Sequence, residues 1–588
     1  MSRIIALIKA DTCLSAIGTP SGVTRNVSGQ AVLRRVVQRI ACVERVEAIV
    51  IVHPIESQVS EIQQCLDGLS VEIPLEMFAF SATDADAFQA SRIAGRKWSL
   101  NSWRGGIGAA TCYDELLPAG PLANAMVQFD AASAILVGGD WPLVDPSLCS
   151  RVLSRHLEAP DTMQMVFTQS PPGLCGVALS LALLKQLAQN EIGFNQVFGY
   201  VPTRAQADPI GLDVCVQIPA VVRDCPHRFI YDTQQSMDLI DSICTDSDEL
   251  IEHRTSQQTV AFANQKMSTA GARVEQAMAS ASVGASMNST VGSLCAEEVE
   301  SSGIPAQVTI ELAPQRSVLG KLTPQHYVEL SRSPMGTSLA KKIIDQLGEP
   351  YQTCVTFGGL GDALLHPDWL ELVEYAASVS TFAIAIETDL LVDAVALDQL
   401  LDAPIDVISV RLNADTAGVY EQAMGEDHFK LVTDNIQNLL LGRAERTKLG
   451  ERAGLPWIVP RMVKTAETLP DMETYFDRWM HFAGHAVIEP SVSGRSIAGD
   501  LMQSQSPVLM APPKRVACRQ LANRMAILSD GRVALCDQDW IGDGSVGDSA
   551  TTSIGGLWSK IQSVEKQHAC DRWQENILCK GCHEWHRP

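Results

Sequence analysis

The chain has 588 residues, enough on ordinary domain sizes for about four domains, or two to three larger ones. Its 45 basic and 68 acidic side chains leave a net charge of −23 with histidine neutral, and 46% of its residues are hydrophobic. Such a balance describes an ordinary globular protein and excludes a general nucleic-acid binder or an anionic membrane surface, since both of those partners are held by lysine and arginine.

In chain order, Arg3–Ala10 is β-branched and apolar, too short for the core of a signal peptide, and reads as a first buried strand. No run approaches the length of a membrane span, so a cytoplasmic protein without a membrane partner is expected. Gln30–Val43 places Val32, Leu33, Val36, Val37 and Ile40 at helical spacing, and Glu47–His53 and Ala134–Gly138 are further β-rich runs. Strand and helix alternate with few hairpin signals, which predicts a mainly parallel sheet with helices on both faces over residues 1–243. Residues 244–306 are expected to link two halves, because the stretch around Met267–Ser302 is rich in Ala, Ser, Gly and Thr and has little to bury. A loosely docked alanine-rich helix is the alternative there.

From 307 to 510 the βα rhythm returns. Expected strands are Val308–Leu312, Thr353–Phe357, Thr381–Ile386, Val407–Leu412, Trp457–Met462 and His485–Pro490. Expected helices are Pro324–Leu347, interrupted near Pro334, then Trp369–Ala377, His428–Leu441 and Glu473–Phe482. Six such units in series predict a partial (β/α) barrel whose chemistry lies at the C-terminal strand ends. Residues 511–588 form a small, loop-rich module.

Sixteen cysteines do not make a disulfide scaffold in a chain this long, but five of them crowd into the last 71 residues. Cys579-Lys580-Gly581-Cys582 lets two thiolates face one metal centre. A hairpin of Arg524–Leu528 and Arg532–Leu535, turning at Ser529-Asp530-Gly531, would bring Cys518 and Cys536 to the same place. Four thiolates hold either tetrahedral zinc or a cubane iron–sulfur cluster, and spacing admits both.

Cys518, the Gly531-to-Cys536 spacing, Ile554-Gly555-Gly556-Leu557-Trp558 and Cys579-Lys580-Gly581-Cys582-His583-Glu584-Trp585 together resemble the SPASM/twitch extension of radical S-adenosylmethionine (radical SAM) enzymes. The resemblance implies an auxiliary 4Fe–4S cluster on Cys518, Cys536, Cys579 and Cys582. Full SPASM domains carry two clusters; here Cys570 alone is left over, so the single-cluster twitch form is expected.

Val308–Pro314 resembles the first strand of a radical SAM barrel, and Thr356–Pro367, with Gly358 and Gly359, resembles its second strand and the glycine loop that approaches S-adenosylmethionine. The family's C-x-x-x-C-x-x-C motif is missing. Arg316, Gly320 and Thr323 stand in its place, and Thr323-Pro324 reads as a helix N-cap. Without three thiolates that leave one iron open, the barrel is expected not to cleave S-adenosylmethionine; whether a vestigial site at Gly358 and Gly359 binds it stays open.

In the first half, Ala134–Val144 is an apolar run ending in Gly138-Gly139-Asp140. An aspartate at the end of a buried parallel strand sits where open α/β sheets bind ligands, and a hard divalent cation there would bridge it to phosphate oxygens. This stretch, Pro171–Gly176 and Tyr231–Leu239 resemble nucleotidyltransferases and GT-A glycosyltransferases. The resemblance implies Asp140 and Asp232 as carboxylates for Mg or Mn. Arg25, in a first loop that has few glycines and lacks the usual lysine, and Arg104, in the glycine-rich stretch Trp103–Gly108, are the candidates for a nucleotide or nucleotide sugar.

The whole pattern resembles the spiro-SPASM proteins: a Rossmann-like nucleotidyltransferase/GT-A-like head, a radical SAM-like barrel without its reactive cysteines, and a SPASM/twitch tail. Three readings follow. The first is a non-radical iron–sulfur protein with a peptide or protein partner. The second is a metal-dependent nucleotidyl- or glycosyltransferase acting through the head. The third is a zinc-stabilised scaffold without catalysis.

Overall fold

The computed structural model describes residues 3–586, apart from 57–58, 82–86, 117, 200–207, 246–253, 266–302, 349–352, 380, 451, 491–494, 497–498 and 501–510. The core of the expected linker, Met267–Ser302, therefore lies outside the described residues. The chain divides into two compact units, Met1–Thr269 and Ala270–Pro588.

In the first unit, strands β1 (Arg3–Lys9), β2 (Ala48–Pro54), β3 (Leu75–Phe80), β4 (Ala131–Gly138), β5 (Met165–Val166) and β6 (Val177–Ser180) form one sheet in the order β3-β2-β1-β4-β6-β5. β1, β2, β3 and β4 run parallel, whereas β6 pairs antiparallel with both β4 and β5. The antiparallel edge departs from the expected sheet because β5 has two residues and β6 four, too short to show in the hydrophobic pattern. Helix α1 (Val32–Ala41) buries the five apolar residues whose spacing announced it. The order reverses between β1 and β4, which makes their C-terminal ends the switch point of the sheet.

This unit also runs further than residue 243. Residues 256–265 are helical, and Val260 and Ala263 share a buried cluster with Val27, Tyr231 and Ile240. One carboxylate ties the segment down. Asp145 caps helix α2 (Pro146–Glu158) through Oδ1, while its Oδ2 accepts the Ser256 N–H at 2.6 Å. Arg39 Nη2 donates to the Arg254 carbonyl at 2.6 Å.

The second unit is built on a nine-stranded sheet. β7 (Gln307–Ile310), β8 (Cys354–Phe357), β9 (Ala383–Thr388), β10 (Val407–Arg411), β11 (Trp457–Lys464) and β12 (Val487–Pro490) follow one another in parallel. They are the six strands of a partial barrel, with helices between them packed onto one shared core. The sheet continues past β7. β13 (Arg524–Ile527) pairs parallel with β7, and the hairpin partner β14 (Arg532–Ala534) and then β15 (Gly547–Asp548) follow antiparallel. The C-terminal module thus adds three strands to the barrel sheet beside its first strand. The expected helix at 324–347 is instead one 3-10 turn, Pro324–His326, then irregular chain, then α3 (Thr337–Asp345). Thr323 does not cap with its side chain; its hydroxyl donates to the Gly320 carbonyl at 2.9 Å. Among the described residues, no helix is long and apolar enough to cross a membrane.

Candidate functional site

The C-terminal cysteines come from four short pieces of backbone. Cys518 immediately precedes a five-residue helix, Cys536 follows β14, and Cys579 lies in a four-residue helix begun by Asn576, whose side chain accepts the Leu578 N–H at 3.0 Å. The Cys582 N–H turns back onto the Cys579 carbonyl at 3.1 Å, and the Glu584 N–H donates to Cys582 Sγ at 3.3 Å, the arrangement expected of a turn that presents thiolates. All four cysteines line one cavity. Cys570 is exposed and is not among the lining residues. Burial pushes the Cys518 thiol up to about 11, and burial with Asp537 nearby raises that of Cys536, so loading a metal must displace protons.

The polar side chains of Arg515, Gln520, Gln538, Asp539 and His568, which cysteine spacing does not announce, also line this cavity. Three of them carry buried nitrogen atoms without a protein partner, namely Arg515 Nε and Nη2, Gln520 Nε2 and both ring nitrogens of His568. Soft sulfur donors beside unpaired N–H groups fit an electron-rich metal–sulfur group.

Charged side chains pair with one another at the C-terminal strand ends of the barrel. Arg316, expected from the resemblance to stand in for the first motif cysteine, forms a two-pronged ion pair with the fully buried Asp389 just beyond β9, with Nε–Oδ2 at 3.0 Å. Gly320 is pressed against the chain, so that an added Cβ would lie 2.1 Å from the Ala423 carbonyl oxygen. Glu311 accepts Arg332 Nε at 2.6 Å and Nη2 at 2.8 Å, and Arg332 also donates to the Trp540 carbonyl at 2.7 Å.

The glycine loop is engaged in the same way. The Gly359 N–H donates to Glu387 Oε2 at 3.1 Å, and its carbonyl accepts Arg411 Nη2 at 2.6 Å. Gly359 has a φ of +95°, and an added Cβ there would lie 2.7 Å from the Trp540 ring; one at Gly358 would meet Glu387 at the same distance. Burial works to raise the Glu387 carboxyl, but Arg461 and Arg411 outweigh it and bring it down to about 2.

At the switch point of the first unit, the Tyr231 N–H donates to the Asp140 carbonyl at 2.7 Å, and the Thr19 hydroxyl donates to the Asp232 carbonyl at 2.6 Å. The structure therefore brings together the two aspartates and the first loop. Asp232 is already engaged: Arg228 Nε reaches its Oδ1 at 2.9 Å, and the same guanidinium reaches Glu115 Oε2 at 2.7 Å. Arg25 is exposed and directs Nη1 to Met237 Sδ at 3.5 Å. Arg104 donates to the Phe198 carbonyl at 2.9 Å and stacks on that ring.

Asp140 is almost wholly buried, and burial, then the Asp232 carboxylate, push it up to about 7. A carboxyl whose folded value lies above its unfolded one stabilises the fold least when ionised, so this contribution is lost as pH rises from about 4 to about 7. Asp140→Asn is expected to raise stability by about 1–3 kcal/mol above pH 7.5 and by little near pH 4. Thermal melts across that range check it.

Residues 518–583 match the SPASM family, described as an iron–sulfur cluster-binding domain. The C-terminal module is a SPASM domain. Among curated proteins, an uncharacterised protein of Treponema pallidum (strain Nichols) is 24% identical over 178 residues, which are 30% of this chain and 46% of that relative. The match thus spans less than half of that relative's length. Among solved structures, BtrN in complex with AdoMet and 2-DOIA is similar at a TM-score of 0.33 and 15% identity, over 48% of this chain and 94% of that one. SuiB of Streptococcus suis bound to precursor peptide SuiA scores 0.33 at 12% identity, over 55% of this chain and 75% of that one. A cytidylyltransferase of Leptospira borgpetersenii serovar Hardjo-bovis (strain JB197) scores 0.31 at 12% identity, over 45% of this chain and 95% of that one.

Proposed function

We propose that the protein is a cytoplasmic, non-radical iron–sulfur protein, in which Cys518, Cys536, Cys579 and Cys582 hold one auxiliary 4Fe–4S cluster and the barrel no longer cleaves S-adenosylmethionine. The observation that carries this reading is the contrast between two places. Four cysteines line one cavity in the SPASM domain, while the position of the first reactive cysteine is an arginine locked to Asp389. Four cysteines on one cavity, with unpaired buried nitrogens among its lining residues, favour a metal–sulfur cluster as the occupant. Bound there, the cluster would supply one-electron transfer.

The chain's own residues oppose S-adenosylmethionine in the barrel, because the loop of Gly358 and Gly359 spends its polar groups on Glu387 and Arg411 and lies under Trp540. In keeping with the SPASM resemblance, the partner is a peptide or another protein. Anaerobic isolation of the full chain tests the reading. Iron and sulfide in equal amounts, with no 5′-deoxyadenosine formed after reduction in the presence of S-adenosylmethionine, is the expected result. Zinc without sulfide, or formation of 5′-deoxyadenosine, overturns it.

The first unit favours a second, narrower reading as a nucleotide or nucleotide-sugar binder, because Asp140 sits at the switch point beside the first loop. With Asp232 paired to Arg228, Asp140 would carry a divalent cation with little help. Equilibrium dialysis against a nucleotide panel with Mg or Mn is the test. Binding lost in Asp140→Asn supports this reading, and no binding across the panel counts against it.

A further inference from the structure

Among the residues that line the cysteine cavity are side chains whose buried nitrogens have no protein partner. Gln520 and His568 are each only 2% exposed, and both sit on its wall. Arg515 is anchored beside them: its Nη1 donates to the Cys582 carbonyl at 3.1 Å, and its guanidinium lies over the rings of Trp573 at 4.9 Å and Trp585 at 5.9 Å. That anchoring leaves Nε and Nη2 unpaired, together with Gln520 Nε2 and the two His568 nitrogens. A buried donor without an acceptor is costly, and three such residues around one cavity is far from the ordinary condition of a protein interior. Their positions are also diverse. Arg515 precedes the first cysteine, Gln520 lies in the helix after it, and His568 ends the long helix Ile554–Ala569. Two distant stretches of chain, one around Cys518 and one at the end of the long helix, therefore bring nitrogen to the same cavity.

Resting on the cluster reading above, we propose that Arg515, Gln520 and His568 form a donor shell that faces the inorganic sulfides and stabilises the reduced, more negative cluster. Thiolate ligands make such a group anionic, and each added electron increases the charge that N–H donors and a guanidinium can offset. Hydrogen bonds to sulfur and nearby positive charge raise a cluster's reduction potential. The three side chains are positioning residues: they set how readily the cluster accepts an electron without ligating iron.

The test uses full-length protein isolated anaerobically. Iron and sulfide are counted first, and their absence sinks the cluster reading before the donor shell is examined. In protein that carries the cluster, an EPR-monitored redox titration is expected to give lower midpoint potentials for Arg515→Met, Gln520→Leu and His568→Phe than for wild type. Arg515→Lys and His568→Gln, which keep a donor, are expected to move back toward wild type. Potentials unchanged in cluster-bearing Arg515→Met, Gln520→Leu and His568→Phe overturn the proposal. If a variant fails to load, the wild-type protein decides. Weak nitrogen hyperfine couplings at the reduced cluster in arginine-, glutamine- or histidine-labelled protein support the shell, and their absence overturns it.

Discussion

Cys579→Ser is expected to leave the full-length protein without its iron and sulfide, and to lower the stability of the C-terminal module by roughly 3–5 kcal/mol, because metal binding to a small module is part of its folding free energy. Cys579 is buried on the wall of the cavity, in a helix of four residues begun by the Asn576 cap and packed into the core through Leu578 and Cys579. A serine there removes one soft ligand and places a hydroxyl where a thiolate stood. Cys570→Ser is the control. Cys570 is exposed beyond the end of the long helix and lines no part of the cavity, so its loss is expected to leave metal content and melting temperature unchanged. Iron and sulfide analysis with a thermal melt of each variant reads both outcomes. Equal iron in Cys579→Ser and wild type would remove this residue from the ligand set.

Much of the second unit could be read from the chain before any coordinates. Its strands are short apolar runs, and those at Val407–Arg411 and Trp457–Lys464 lie within a residue or two of where the pattern puts them. The helices Ala394–Asp402 and Ala417–Met424 were not legible: the second of these has few apolar residues in a regular stripe, and its exit depends on Gly425 in a left-handed turn. The stretch after Thr323 misleads for a different reason. Its apolar residues look helical, but Pro324 and Pro334 flank chain that packs by tertiary contact, such as the Met335 N–H to the Leu312 carbonyl at 2.8 Å. At the candidate site, C-x-x-C and the glycine-turn hairpin announce themselves through local spacing. Arg515, Gln520 and His568 do not, because a donor's role depends on what the fold leaves unpaired beside it. Likewise, no local pattern foretells that Arg228 would reach Asp232 and Glu115 at once.

Arg316→Ala is expected to destabilise the second unit by about 3–5 kcal/mol, the cost of leaving one member of a buried ion pair without its partner. Asp389 is fully buried and its remaining cationic neighbour, Arg411 Nη1, stands 4.0 Å away. Arg316→Lys keeps the charge but loses the two-pronged geometry, so it should fall between wild type and alanine. The paired change Arg316→Met with Asp389→Leu removes both charges and is expected to recover most of the loss, since the attraction within such a pair barely exceeds the cost of its burial. Urea unfolding of the full chain, followed by probes in the second unit, separates these outcomes; a harmless Arg316→Ala would refute the structural role. The same contacts explain why restoring the family motif would not restore its chemistry. Cysteine at position 316 strands Asp389, cysteine at 320 drives a Cβ into the Ala423 carbonyl, and cysteine at 323 removes the hydroxyl bonded to the Gly320 carbonyl. The triple variant is therefore expected to lose stability and to form no 5′-deoxyadenosine, because each change breaks a contact that holds the chain around residues 316–323.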